Sequence, residues 1–214
     1  MVRAVVFDVG ETLVDESGLF GGWADWLGVP RHTFSALIGA AIARGGGFAE
    51  VFETVRPGFD FRVEDRLREE AGVPDRIREE DLYADVRLCL QELHSLGVWL
   101  GIAGNQPARA GQDLLSLRLP VDLVATSEEW GVRKPDLRFF ERVESAVPFP
   151  AEEILYVGDR IGRDVIPAKK AGLRAALLRR GPWAYLHGDD DGGGGADLRL
   201  DGLTALPEWI AGQR

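Results

Sequence analysis

Cysteine is almost absent from this chain: Cys89 is the only one. A single thiol excludes an intrachain disulfide and agrees with a reducing compartment. Long apolar runs are also missing. No segment approaches the roughly 20 apolar residues that a membrane-spanning helix needs, so no membrane partner is expected. Positive charge is scarce, with 25 Lys and Arg against 35 Asp and Glu and a formal net charge of −10. That balance argues against nonspecific binding to nucleic acid or anionic membranes. An anionic ligand must therefore find a local positive spot against an overall repulsive field. The three histidines, His32, His94 and His187, have no metal-ligand spacing. The N-terminus enters a strand pattern at once, which leaves no room for a signal peptide, and the expected location is cytoplasmic.

What is present is the pattern of a folded α/β protein. The 214 residues, 45% apolar and 28% charged, suffice for one sizeable core and a smaller second module. Short apolar runs recur at 3–7, 98–103, 121–126, 153–157 and 174–178, with a sixth candidate at 197–200. Ile154-Leu155-Tyr156-Val157 shows no polar alternation, as expected of a parallel strand covered on both faces. Helical stretches lie between them. Residues 82–96 put Leu82, Val86, Cys89, Leu90, Leu93 and Leu96 on one stripe, and Gly97 supplies a stop. Further helices are expected over 136–146, with Phe139, Phe140 and Val143 inward, and over 163–171. The alternation predicts a Rossmann-like, doubly wound parallel sheet with right-handed crossovers.

Residues 16–80 break that rhythm. They hold helical stretches near 32–44 and 61–71, separated by Gly45-Gly46-Gly47 and Pro57-Gly58, and no convincing strand. The expected division is a core of 1–15 and 81–214 with a helical module, 16–80, inserted after the first strand and overhanging the sheet edge where ligands bind. Trp23 and Trp26 are expected to pack within that module. Residues 188–196 read as a solvated, low-complexity loop.

Four polar elements fall at or just beyond strand ends: Asp8; Gly104-Asn105; Lys134-Pro135-Asp136; and Gly158-Asp159 with Asp164 five residues on. In an open α/β sheet such ends gather at one edge. Converging carboxylates repel one another unless a hard divalent cation neutralises them, and Mg2+ is commonly held by one or two carboxylates, waters and substrate phosphate. Lys134 just before a helix start adds a positive corner suited to an anion. The combination suits phosphoryl transfer, in which Asp8 would form an aspartyl-phosphate. Taken singly, the bland readings stay open: Asn105 as a turn residue, Asp164 as an acid in a helix's first turn, Lys134 as a surface charge, and Arg179-Arg180 as solvated charge or as help for an anion.

Four such elements in order, each at a strand end, resemble the haloacid dehalogenase superfamily, whose members are mostly Mg2+-dependent phosphatases. The resemblance covers nearly the whole chain and implies that residues 16–80 are a helical cap. It places the nucleophile on Asp8, the phosphate-binding motif on Gly104 and Asn105, the charge-neutralising lysine on Lys134, and metal ligation on Asp8, the Gly10 carbonyl, Asp159 and Asp164. The implied substrate is a small phosphorylated molecule.

Two positions depart from the family pattern. Gly10 stands where phosphatases usually carry an Asp that protonates the leaving group and activates water. Gly104 stands where a Ser or Thr contacts the phosphoryl group. A positioned general acid–base is worth roughly 10²–10⁴-fold, and one charge-stabilising donor roughly 10²–10³-fold. The expectation is a slow phosphatase, with Glu11 badly aimed to substitute. The rivals are a metal-independent 2-haloacid dehalogenase, whose first motif also lacks the second Asp, and a catalytically inactive protein of this fold that acts by binding.

Overall fold

The computed structural model describes residues 1–189 and 194–213. Residues 190–193, the middle of the expected 188–196 loop, lie outside the described residues. The chain forms two compact units, one of Met1–Asp15 and Ile77–Arg214, the other of Glu16–Arg76.

The larger unit is built on six parallel strands: β1 (Ala4–Phe7), β2 (Trp99–Gly104), β3 (Leu123–Thr126), β4 (Ile154–Gly158), β5 (Arg174–Leu178) and β6 (Leu198–Leu200). Their order is β3-β2-β1-β4-β5-β6. The chain thus winds outward from β1 in both directions, and β1 is fixed on one side to β2 and on the other to β4, with Phe7 opposite Ile102 and Val157. All four β1 residues are buried. Because side chains alternate faces, Val5 and Phe7 enter one core cluster while Ala4 and Val6 enter the other. Leu155 and Val157 divide from Ile154 and Tyr156 in the same way. This two-sided burial is why the strands read as uninterrupted apolar runs.

The helices differ from expectation mainly at their starts. The helix expected over 82–96 runs only over Val86–Ser95. A 3-10 turn, Glu79–Asp81, precedes it, and Leu82 is extended and bridges Val14. The apolar stripe is real, but its first member belongs to the strap that closes against the loop after β1. The helix expected over 163–171 is a five-residue π turn, Ile161–Val165, followed by a short helix, Ile166–Lys170. The helix Leu137–Ala146 starts where Asp136 accepts a hydrogen bond from the Arg138 N–H at 3.0 Å. A short helix at Ser127–Trp130 was not expected. Its signal is Thr126-Ser127-Glu128-Glu129, a capping box in which Thr126 and Glu129 bond reciprocally.

Cys89 lies fully inside the first core cluster. Burial, aided by Asp85 and Glu92, pushes its thiol up to about 12. At neutral pH it is a protonated, shielded group. A thiol-exchange reagent is expected to leave the folded protein unmodified and to titrate one thiol after urea unfolding; rapid labelling without urea would contradict this packing.

The smaller unit carries four helices: Ser17–Leu27, Arg31–Ala43, Phe48–Val55 and Phe61–Glu70. Its centre is aromatic. Trp23 meets Phe52, Phe59 and Phe61 edge-on at ring separations of 5.2–5.7 Å, and Phe34 meets Phe52 at 5.3 Å. The Trp23 indole N–H donates to Asp75, which also pairs with the buried Arg68 at 2.6 Å, and the Arg68 guanidinium lies 4.1 Å over the Trp23 ring. The Trp26 indole N–H donates to Glu64 at 2.7 Å.

Candidate active site

Asp8 leaves the end of β1, where its N–H donates to the Val157 carbonyl at 2.8 Å. Its carboxylate, with those of Asp159 and Asp164 from the segment following β4, forms a group whose oxygens lie within 4.8 Å of one another. All are buried, at 8%, 1% and 1% exposure. Lys134, 3% exposed, is the buried cation among them. Its ammonium lies 2.8 Å from Asp8 Oδ1 and 2.5 Å from Asp164 Oδ1. Three carboxylates and a lysine, contributed by residues up to 156 positions apart in sequence, therefore meet at one end of the central strands.

Burial pushes the Asp8 carboxyl above its ordinary range; Lys134 opposes this, and Asp164 adds to it. Burial also works against the Lys134 charge, but Asp164 and Asp8 outweigh it and hold the ammonium well above the usual lysine range. The aromatic floor helps: the Lys134 ammonium lies 5.2 Å from the Tyr156 ring and 5.9 Å from that of Phe139. Tyr156 is itself anchored, its hydroxyl donating to the Ala103 carbonyl at 2.7 Å. A tyrosine within the otherwise aliphatic 154–157 run was the available signal for this support.

Asn105 grips the segment that carries the lysine. Its amide N–H donates to the Lys134 carbonyl at 2.9 Å, and its oxygen accepts from the Lys134 N–H at 2.8 Å. Asp164 Oδ2 accepts from the Arg160 N–H at 2.9 Å while Oδ1 holds the lysine. Asp159 Oδ1 has the Arg160 guanidinium at 3.7 Å.

The glycines fit close approaches. A Cβ at Gly104 would stand 2.8 Å from Asp8 Oδ1 and 2.9 Å from Val9 Cγ2, so any side chain there requires something to shift. A Cβ at Gly158 would lie 2.4 Å from Asp164 Cγ. Gly10, half-buried, sits in the turn after Asp8, where it bridges Val14. Glu11 is turned to other work. It adopts a left-handed conformation (φ 53°), accepts from the Tyr83 hydroxyl at 2.5 Å, and packs so closely on Gly181 that a Cβ there would lie 2.6 Å from Glu11 Cγ. Burial and the Glu11 bond both push the Tyr83 hydroxyl pKa up.

Of the suspected arginine pair, Arg180 is committed to structure. It pairs with Asp85, donates to the Thr12 carbonyl at 2.9 Å and covers the Tyr83 ring at 4.1 Å. Arg179 lies 3.7 Å from Asp201 and 4.9 Å from the Tyr185 ring.

A parallel α/β sheet with a buried acid–lysine cluster at its edge defines the broad class, and comparison with known proteins narrows it. The haloacid dehalogenase-like hydrolase family matches residues 2–172. Glyceraldehyde 3-phosphate phosphatase from Methanocaldococcus jannaschii is 35% identical over 124 residues, covering 56% of this chain and 53% of that protein. The same-named protein from Pyrococcus abyssi is 31% identical over 198 residues, covering 85% and 83%. Several matches are shorter: this chain spans about half the length of the Methanocaldococcus and Methanopyrus kandleri relatives. Among solved structures, L-2-haloacid dehalogenase from Xanthobacter autotrophicus with chloropropionic acid covalently bound shares the fold at TM-score 0.68, 18% identity and full coverage of both chains. The chain belongs to the haloacid dehalogenase-like hydrolases.

Proposed function

We propose that this protein is a Mg2+-dependent phosphatase of small phosphomonoesters, working through an aspartyl-phosphate on Asp8, with residues 16–80 as its cap. The observation that carries the proposal is the buried Asp8–Lys134–Asp164 chain with Asp159 in the same cluster. The phosphatase names of the curated relatives support it, and a three-carbon sugar phosphate is the first substrate to assay.

The donor set fits a hard divalent cation. Three buried carboxylates face one lysine, so negative charge is in excess within the cluster, and every side-chain donor is oxygen. Asp8, the Gly10 carbonyl, Asp159 and Asp164 would hold Mg2+, whose contribution is to screen phosphate charge. The remaining steps belong to the chain. An Asp8 oxygen attacks phosphorus as the ester P–O bond breaks; Lys134 neutralises charge beside it, and the Gly104-Asn105 backbone receives the phosphoryl oxygens while the Asn105 side chain holds the Lys134 segment in place. Water then attacks the aspartyl-phosphate, releasing inorganic phosphate and regenerating the carboxylate. With glycine at position 10, solvent must protonate the leaving alkoxide, which makes turnover slow and favours good leaving groups.

The test is hydrolysis of p-nitrophenyl phosphate and glyceraldehyde 3-phosphate with Mg2+ and with EDTA, beside Asp8→Asn. Equal rates in wild type and variant would refute the enzymatic reading and leave a binding protein of this fold. Halide release from 2-chloropropionate in EDTA would instead establish the dehalogenase, the activity that Gly10 would favour.

Gly10→Asp probes the missing acid–base directly. An aspartate installed without its supporting hydrogen bonds recovers only part of the 10²–10⁴-fold term, so kcat for an alkyl phosphate is expected to rise about tenfold. The gain should be smaller for p-nitrophenyl phosphate, whose leaving group needs no proton. Restoring a hydroxyl with Gly104→Ser is not an equivalent test, because the Cβ would crowd Asp8.

A further inference from the structure

Glu11 holds a backbone conformation that side chains rarely adopt. At φ 53° it is one of two non-glycine residues with a positive φ among the described residues, in the region where an L-residue is crowded and glycine is favoured. It is also buried, at 7% exposure, directly after Gly10. Both features cost free energy, and strain of this kind persists only where the surroundings over-determine it.

Here the surroundings do so from distant parts of the chain. The Tyr83 hydroxyl, 72 positions away, donates to Glu11 Oε2 at 2.5 Å. The Arg180 guanidinium lies 4.1 Å over the Tyr83 ring and donates to the Thr12 carbonyl at 2.9 Å, so one arginine braces both the tyrosine and the next residue of the turn. Gly181 leaves the space that the stem of Glu11 fills: a Cβ there would lie 2.6 Å from Glu11 Cγ.

The part of the turn fixed in this way is the peptide joining Gly10 to Glu11. Its N–H, on Glu11, donates to the Val14 carbonyl at 2.7 Å. In a trans peptide the N–H and C=O point to opposite sides, so the Gly10 carbonyl projects from the edge opposite that bond. The φ of Glu11 sets the rotation between this peptide plane and the rest of Glu11. Anchoring the carboxylate with φ at 53° therefore sets the direction of the Gly10 carbonyl. Gly10 has no side chain through which it could be held itself.

We propose that Glu11 is a positioning residue that, with Tyr83 and Arg180, aims the Gly10 carbonyl as a ligand for the divalent cation. This rests on the metal-dependent reading above and deepens it: position 10 offers only its backbone, and position 11 supplies the restraint.

Mn2+ is the probe, because it takes the same oxygen ligands as Mg2+. Its binding is followed without substrate by the EPR signal of the free ion, and the binding that Asp159→Asn abolishes is the binding that counts. Tyr83→Phe removes the hydroxyl without changing charge or the ring beneath Arg180, and Mn2+ should bind about 10–100-fold more weakly. Glu11→Gln keeps an oxygen to accept from Tyr83 and should stay within about threefold of wild type. Glu11→Gly suits the left-handed backbone, which offsets the lost hydrogen bond, so its urea midpoint without metal should stay near that of wild type. Its Mn2+ binding should nevertheless weaken by about 10–100-fold. In the phosphatase assay, the rate lost in Tyr83→Phe should return at high Mg2+ with the substrate KM unchanged.

Unchanged Mn2+ affinity in Tyr83→Phe and Glu11→Gly overturns the role, as does a loss of affinity that follows urea stability variant by variant. Absence of any Mn2+ site that Asp159→Asn removes overturns it too. If wild type binds Mn2+ at that site but hydrolyses no phosphomonoester, the phosphatase reading alone fails, and the Mn2+ affinities still decide whether Glu11 positions the ligand.

Discussion

Replacing Asp8 with asparagine is expected to lower phosphatase kcat by about 10⁴-fold or more while leaving the fold as stable as before, or more stable. The first half follows from the role proposed for Asp8: an amide cannot form the aspartyl-phosphate, and loss of a covalent nucleophile removes most of a catalytic assembly's effect at once. The second half follows from the buried charges. Asp8 is one of three carboxylates within 4.8 Å, and burial and Asp164 both work against its ionisation. Asparagine removes one of the repelling charges, keeps an oxygen to accept from Lys134, and leaves Lys134 paired with Asp164. Urea unfolding of both proteins without added metal checks the stability, and the phosphate-release assay checks kcat. A fall in stability of several kcal/mol would mean that Asp8 is mainly a structural ion-pair partner. An unchanged rate would remove it from the reaction.

Lys134→Met is expected to fail in both respects. Methionine fills a similar volume but leaves Asp8 and Asp164 facing each other, buried, without the ammonium 2.8 and 2.5 Å away. Breaking a buried ion pair by removing one partner typically costs about 3–5 kcal/mol. Losing the positive charge beside the transferred phosphoryl group should lower kcat by about 10²–10³-fold. The double variant Lys134→Met/Asp164→Asn separates the two losses. Stability should return in part, because one of the two carboxylates left without the ammonium is gone while Asp8 remains, and activity should not return. If the single variant unfolds at the wild-type urea midpoint, the lysine is not the electrostatic keystone of the cluster.

Much of this was legible in the sequence for definite physical reasons. Strands buried on both faces must be apolar throughout, so 153–157 and 174–178 announced themselves within a residue of Ile154–Gly158 and at Arg174–Leu178. Asp8 and Asp159 were legible because a carboxylate just beyond such a run has few reasons to be there, whereas Lys134 and Asp164, farther from the ends of β3 and β4, gained meaning only from the order of the four elements. What could not be read was anything decided by packing between segments distant in the chain. Leu82 fits the stripe of the helix at Val86–Ser95, yet pairing with Val14 takes it out of the helix. The 163–171 stretch has helical composition, but its start widens into a π turn in which the Arg160 N–H meets Asp164. Arg160 looks like an ordinary surface charge in sequence. The dipeptide Arg179-Arg180 read equally as solvated charge or as help for an anion, and Asp85, Thr12 and Asp201 take up its guanidinium groups.

The strand order has a consequence for synthesis. Asp8 follows a strand whose second neighbour, β4, is made about 150 residues later by the register Phe7 to Val157. Until then a nascent chain can pair β1 with β2 and β2 with β3 but has neither Asp159 nor Asp164 to set against Lys134. The Asp8–Asp159–Asp164 group therefore assembles only with closure of the most non-local pairing in the sheet, and under the proposed reaction activity is expected only then.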